Sequence, residues 1–148
     1  MSSFNSKREI RLYLIWILIM TAVVIIINTY FFTFVNVVGS SMEPTLHNGD
    51  KLFLVKWGYN PTDSDIIVFD SGTGKPYIKR VYATENQSVI VCGKDYGTVP
   101  ENSVFVLGDN LGNSIDSRYE SVGFVNNKAI MGHALFRIYP FSKIGPLD

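Results

Sequence analysis

The chain has a single cysteine, Cys92, and only two histidines among its 148 residues. One thiol excludes an intramolecular disulfide, which suits a cytosolic protein and equally a domain exported by an organism that makes few disulfides. Cys92 follows the apolar run Val89-Ile90-Val91 and is expected to pack as a small hydrophobe. His47 and His133 stand far apart, which argues against a metal centre, and both read as surface polar groups. No cofactor is expected. Net charge is missing too: 13 basic and 13 acidic residues cancel, so no positive field points to a nucleic-acid partner. At this length there is room for one modest domain and not for two.

Charge is absent altogether from one long stretch. From Leu12 to Val35 nearly every residue is apolar and none is ionisable as Asp, Glu, Lys or Arg. As a helix the run would extend about 36 Å at about 1.5 Å per residue. That exceeds the roughly 30 Å hydrocarbon core of a bilayer. A buried core helix is the bland alternative, but the rest of the chain is too small to surround it. A cleavable signal peptide is the stronger rival; its apolar core spans about 7–15 residues and ends at a small-x-small site. Here the run is longer and closes on Asn28-Thr29-Tyr30-Phe31-Phe32. An uncleaved anchor is the expectation. Lys7, Arg8 and Arg11 precede it, and no Lys or Arg follows before Lys51. The positive-inside rule then puts residues 1–11 in the cytoplasm, 12–35 in the membrane and 36–148 outside, with Tyr30, Phe31, Phe32 and Phe34 toward the outer interface.

What is present beyond residue 36 reads as short strands between turn residues. The expected strands are Lys51–Lys56, Ile66–Phe69, Tyr77–Ala83, Val89–Cys92, Ser103–Leu107 and Ala129–Ile138. Gly58-Tyr59-Asn60-Pro61, Ser71-Gly72-Thr73-Gly74, Gly93-Lys94-Asp95 and Gly108-Asp109-Asn110 supply the turns. No helical periodicity and no repeat is found there. The expected architecture is mainly β: one all-β domain hung from one N-terminal helix.

Three clusters carry chemistry: Gly39-Ser40-Ser41-Met42-Glu43-Pro44-Thr45-Leu46; Tyr77-Ile78-Lys79-Arg80-Val81; and Gly108-Asp109-Asn110 followed by Asn113-Ser114-Ile115-Asp116-Ser117-Arg118. By itself the first describes a tight, exposed loop, in which a serine is usually structural. In the second, strand alternation puts either Lys79 or Arg80 on the inward face. An inward lysine is costly unless partnered, so it is an ion-pair member or a functional amine.

Taken in order, S-M-x-P-T, then Y-I-K-R-V, then G-D-N-x3-S-x-D-S-R behind an anchor resemble the type I signal peptidases, Gram-positive type. The resemblance extends to the closing Gly132 and Phe136-Arg137-Ile138-Tyr139-Pro140. It implies a signal-peptidase-like β-sheet catalytic domain and a membrane-bound serine endopeptidase that removes signal peptides from secretory preproteins. It further implies Ser41 as nucleophile and Lys79 as general base, with Ser114 hydrogen-bonding and orienting the lysine. Asp116 with Arg118, and Asp109 with Arg80, would be supporting polar pairs. The chemistry is coherent, because burial lowers a lysine from about 10.4 by up to 3–5 units and a neutral amine serves as base. The Ser41 N–H is one oxyanion donor; Gly39, two before the nucleophile, offers no side-chain donor, so the second donor stays open. The shallow apolar pockets the resemblance implies, for small side chains before the cut, have Val37, Met42, Leu46, Tyr77 and Ile78 as candidate lining, with Met42 and Leu46 equally readable as core. Ser41 lies about six residues past the apolar run, at most roughly 20 Å of chain, which keeps the site near the membrane. Trp57 and Tyr59 are candidate contacts for lipid headgroups.

Two features depart from the family pattern. After Val81 the chain continues Tyr82-Ala83-Thr84-Glu85-Asn86 where members often carry a glycine-proline-glycine-aspartate turn. The stretch between the second and third clusters is also short, so the accessory subdomain is expected to be minimal. A rival of another class is a pilus-assembly factor, a signal peptidase relative that binds pilin subunits and aids their polymerisation; retention of both Ser41 and Lys79 weighs against it. Soluble, self-cleaving LexA-like regulators share Ser–Lys chemistry, but they carry a DNA-binding domain where this chain has an apolar anchor.

Overall fold

The computed structural model describes residues 6–56, 58, 60–72 and 74–147. Helix α1 (Ser6–Tyr30) is followed by ten strands: β1 (Phe32–Asn36), β2 (Lys51–Val55), β3 (Ile66–Asp70), β4 (Pro76–Ala83), β5 (Ser88–Val91), β6 (Lys94–Thr98), β7 (Ser103–Leu107), β8 (Val125–Asn126), β9 (Ile130–Tyr139) and β10 (Gly145–Pro146). The mainly-β architecture with one N-terminal helix therefore stands. Within α1, Arg8–Tyr30 is long and apolar enough to cross a membrane, and none of it is buried against the protein.

The helix does not cover residues 12–35, as the apolar run suggested. It begins earlier, at Ser6, and stops at Tyr30, where the Phe31 N–H still bonds the Ile27 carbonyl at 2.9 Å. Phe32-Thr33-Phe34-Val35 then switches to a strand. Hydrophobicity alone does not separate the two, but aromatic and β-branched residues favour a pleated surface. Pairing with β2 supplies cross-strand partners: the Phe32 and Phe53 rings stack at 5.2 Å, and Phe34 meets Phe53 at 5.6 Å. Ser41 consequently lies eleven residues past the helix end rather than six past the anchor.

Eight strands form one antiparallel sheet in the order β1-β2-β9-β3-β4-β7-β8, with β10 added on β9; β5 and β6 make a separate hairpin. Strand β3 is buried on both faces. Ile66 and Val68 join one core with Val37, Met42, Leu46 and Leu52, while Ile67 and Phe69 join another with Val81, Val104 and Val106. Successive strand side chains point to opposite faces, so one strand divides two cores. A third, smaller core of Val89, Val91, Val99 and Phe105 sits under the hairpin, which is all that fills the short accessory stretch.

The hairpin corrects two expectations. Its turn is Cys92-Gly93, both left-handed at φ 52° and 79°, as the two-residue turn matched to strand twist requires. Lys94 and Asp95, read as turn residues, therefore begin β6. Cys92 sits exposed at the tip and is not packed. His133 is not a surface group either: its side chain is only 16% exposed and faces Asp65 at 3.4 Å. Trp57 and Tyr59 lie outside the described residues.

Candidate active site

The loop between β1 and β2 carries Ser41, and its apolar members root it. Met42 and Leu46 are 1% and 0% exposed in the core shared with β2 and β3; burying each contributes about 1.5–3 kcal/mol. The Leu46 N–H bonds the Met42 carbonyl at 2.8 Å, and Gly39, left-handed at φ +93°, bonds the Asn48 side chain at 3.0 Å. At its far end Asp50 takes Arg137 at 2.9 Å, and the same guanidinium donates to the Thr45 carbonyl at 3.0 Å.

Lys79 comes from β4, where Lys79, Val81 and Ala83 are the buried alternate residues. It is the inward member of the Lys79–Arg80 pair, 4% exposed, and its Nζ donates to Ser41 Oγ at 2.8 Å and to the Ile78 carbonyl at 3.0 Å. The two side chains are 38 positions apart in sequence. Burial holds the Lys79 pKa below the ordinary lysine value, against the opposing pull of the Asp116 and Asp109 charges. The Tyr77 ring centroid lies 5.5 Å from Nζ.

The third wall is the segment after β7. Arg80 forms a two-pronged ion pair with Asp109, both contacts at 2.9 Å, and also donates to the Ser64 carbonyl at 2.8 Å. Arg118 grips Asp116 at 2.8 and 2.9 Å, and Asp116 also accepts the Gly108 N–H at 3.0 Å. Burial pushes the Asp116 carboxyl upward, but Arg118 and the Gly108 N–H outweigh it and leave its pKa below the usual value. Ser114 is buried beside the pair, its hydroxyl close enough to Asp116 to help hold that carboxyl low, but it makes no hydrogen bond to Lys79. The bond to Lys79 expected of it is therefore not formed; the Nζ is turned to Ser41 and Ile78 instead.

Several contacts were not legible beforehand. The Asn110 side chain donates to the Ser40 carbonyl at 3.1 Å, its N–H to the Ser41 carbonyl at 3.0 Å, and Asn113 to Ser40 Oγ at 2.8 Å. Gly108 is packed so closely that a Cβ there would come within 2.5 Å of both Ser114 Cβ and the Ser41 carbonyl oxygen. The signal for each was only a small or amide residue just past a strand end; the partners lie some 70 residues away.

Ser41 and Lys79 open onto a cleft of about 750 Å³. Val37, Met42, Tyr77 and Ile78 line it, as expected, together with Ser40 and Asn113. Leu46 does not: it is fully buried in the core beneath the loop, whereas Met42 belongs to that core and also reaches the cleft. Strand β4 pairs with β7 only from Arg80 onward. Its Pro76–Lys79 half thus has a free edge, facing the continuation of β1 across the cleft.

Residues 10–95 and 91–139 match the sequence profile described as signal peptidase, peptidase S26. The chain belongs to the signal peptidase family. It is similar to a probable signal peptidase I-1 of Synechocystis sp., 36% identical over 141 residues covering 72% of this chain and 71% of that one. Signal peptidase I of Bacillus licheniformis is 28% identical over 183 residues, covering 99% and 97%. A mitochondrial inner membrane protease subunit 1 of Mus musculus is 35% identical over 117 residues, covering 72% and 69%. Within this signal peptidase family chain, the matched regions include all three walls of the cleft.

Proposed function

We propose that this signal peptidase removes N-terminal signal peptides from exported preproteins through a Ser41–Lys79 dyad. The observation that carries the dyad is the 2.8 Å contact between Lys79 Nζ and Ser41 Oγ, with the lysine buried and its pKa lowered. Neutral Lys79 accepts the Ser41 proton as Oγ attacks the scissile carbonyl carbon. The carbonyl π pair moves to its oxygen, opposite the Ser41 N–H. Collapse of that adduct expels the amine of the mature protein, which takes the proton from Lys79, and leaves an acyl ester on Ser41. Water attacks the ester with Lys79 again as base, releasing the signal peptide and restoring both side chains.

The free edge of β4 and the facing continuation of β1 suit an extended peptide, which would add its backbone as a strand. Val37, Met42, Tyr77 and Ile78 then meet the side chains before the cut. The ion pairs Arg80–Asp109 and Arg118–Asp116 hold the walls of the cleft and take no part in proton transfer.

The helix Arg8–Tyr30 anchors the enzyme in a bilayer, with the β domain on the outer side, as the basic residues before it favour. Lys56 ties that domain to the helix end through the Thr29 carbonyl at 3.3 Å. Phe34 and Phe136 both flank Phe53 by strand register and are 65% and 45% exposed; this apolar side, continuous with α1 through β1, rests against lipid. The single exposed thiol tests the orientation. A membrane-impermeant maleimide should label Cys92 in intact cells and not label Cys92→Ser; labelling only after lysis would reverse the topology.

The decisive test uses detergent-solubilised protein and a precursor ending its signal peptide in Ala-x-Ala, with a pilin precursor beside it. Wild type should cut after the last alanine, while Ser41→Ala and Lys79→Ala should lose roughly a thousandfold or more in rate. Equal cleavage by wild type and Ser41→Ala would remove the dyad. Pilin binding without any cleavage would put the assembly-factor reading in its place.

A further inference from the structure

The Ser41 N–H donates to no group among the described residues, although Ser41 lines the cleft. A lone backbone donor beside a nucleophile is useful only if its direction is set. That direction belongs to the Ser40–Ser41 peptide unit, which is trans. A trans peptide is planar, with its C=O and N–H pointing opposite ways. Whatever holds the Ser40 carbonyl therefore aims the Ser41 N–H.

The Ser40 carbonyl is held by the Asn110 side chain, Nδ2 donating at 3.1 Å, and also accepts the Glu43 N–H at 3.2 Å. The Asn110 N–H bonds the Ser41 carbonyl at 3.0 Å, so one residue grips the carbonyls on both sides of the nucleophile. Asn110 is itself fixed, because its carbonyl accepts the Asn113 N–H at 2.9 Å and Arg118 holds the Leu111 carbonyl at 2.7 Å. Two donors on the Ser40 oxygen also draw electron density along the peptide and strengthen the N–H at its other end.

We propose that Asn110 is a positioning residue for the oxyanion donor: its side-chain amide orients and polarises the Ser41 N–H through the Ser40–Ser41 peptide plane. This rests on the reading of Ser41 as nucleophile. Asn113 is the internal contrast, since it bonds Ser40 Oγ at 2.8 Å and leaves the peptide plane untouched. Its hydrogen bond anchors the same loop without setting the donor.

The experiment compares wild type, Asn110→Asp, Asn110→Ala and Asn113→Ala in precursor cleavage and in binding of two matched peptides. One peptide ends in an alaninal aldehyde, the other in the corresponding alcohol. Ser41 Oγ adds to the aldehyde carbon, its proton passes to Lys79, and the new oxyanion points at the Ser41 N–H; the alcohol binds without that adduct. Both Asn110 variants should lower kcat roughly tenfold or more, with KM unchanged and aldehyde affinity falling in parallel; the pH profile should stay in place in Asn110→Ala, while the added charge in Asn110→Asp moves its rising limb to higher pH. Alcohol affinity should hold, and Asn113→Ala, which loosens the loop without touching that peptide, should cost clearly less in kcat than either Asn110 variant. Wild-type kcat in Asn110→Ala, or a loss confined to KM, would overturn the proposal. So would an equal loss of aldehyde and alcohol binding, an equal loss in Asn113→Ala, or loss of the thermal unfolding transition in both Asn110 variants. Undiminished cleavage by Ser41→Ala in the same assay would instead sink the nucleophile reading beneath it.

Discussion

Ser41 and Lys79 meet at 2.8 Å but are held in opposite ways. Lys79 sits in a regular strand, where alternation and register with β3 place it and the burial of Val81 and Ala83 keeps the strand in phase. Ser41 sits on an irregular loop, rooted by Met42 and Leu46 and pinned by polar contacts from Asn110, Asn113 and Arg137. A strand position is over-determined by its neighbours, so no single contact carries it. A loop position depends on a few contacts, each replaceable by one substitution. Lys79 should therefore tolerate changes around it better than Ser41 does.

Gly108→Ala should break the comparison most severely, because that position lies directly against the Ser41 backbone. The new methyl would lie within 2.5 Å of Ser114 Cβ and the Ser41 carbonyl oxygen, both on packed segments. Displacement of Ser41, the proposed nucleophile, by even a fraction of an ångström should cost about a hundredfold in kcat, measured by precursor cleavage; wild-type turnover would show that the loop adapts.

Arg137→Met tests the loop side through stability. It keeps the bulk of the side chain but leaves the Asp50 carboxylate, 6% exposed, without its cation. Breaking a largely buried pair costs roughly 3 kcal/mol, readable as a lower denaturant midpoint. An unchanged midpoint would mean that Met42 and Leu46 hold the loop unaided.

Asp109→Asn sharpens the strand side and is the mildest. As the proposed base, Lys79 acts when neutral, so the rate should rise as pH climbs through its lowered pKa and level off above it. The Asp109 charge raises that pKa; removing it should move the rising limb to lower pH with the plateau nearly unchanged. A limb moved to higher pH would contradict burial and charge as the controls on Lys79.

How much was readable beforehand follows the same division. The strands around Lys51, Ile66, Tyr77, Ser103 and Ala129 were located by alternation and turn residues, because those signals are local. The Phe32–Asn36 strand was hidden inside an apolar run, since hydrophobicity favours a membrane helix and a buried strand alike. The Cys92-Gly93 turn was displaced by a residue or two for want of any sign that Cys92 would take a left-handed conformation. Leu46, readable equally as pocket lining and as core, is core alone, because packing against β2 and β3 leaves it no exposed surface.

The sequence by itself determined the mainly-β architecture behind one long apolar helix, and the ordered motifs that placed the chain in its family. It also determined that either Lys79 or Arg80 had to face inward, because a strand has a period of two. Only the tertiary structure decided that Lys79 was the one, that Ser114 does not bond it, and that Asn110 holds the Ser40–Ser41 peptide. Local periodicity acts between neighbours in the chain, whereas those contacts join residues 38 and 70 positions apart and exist only once the sheet brings its strands together.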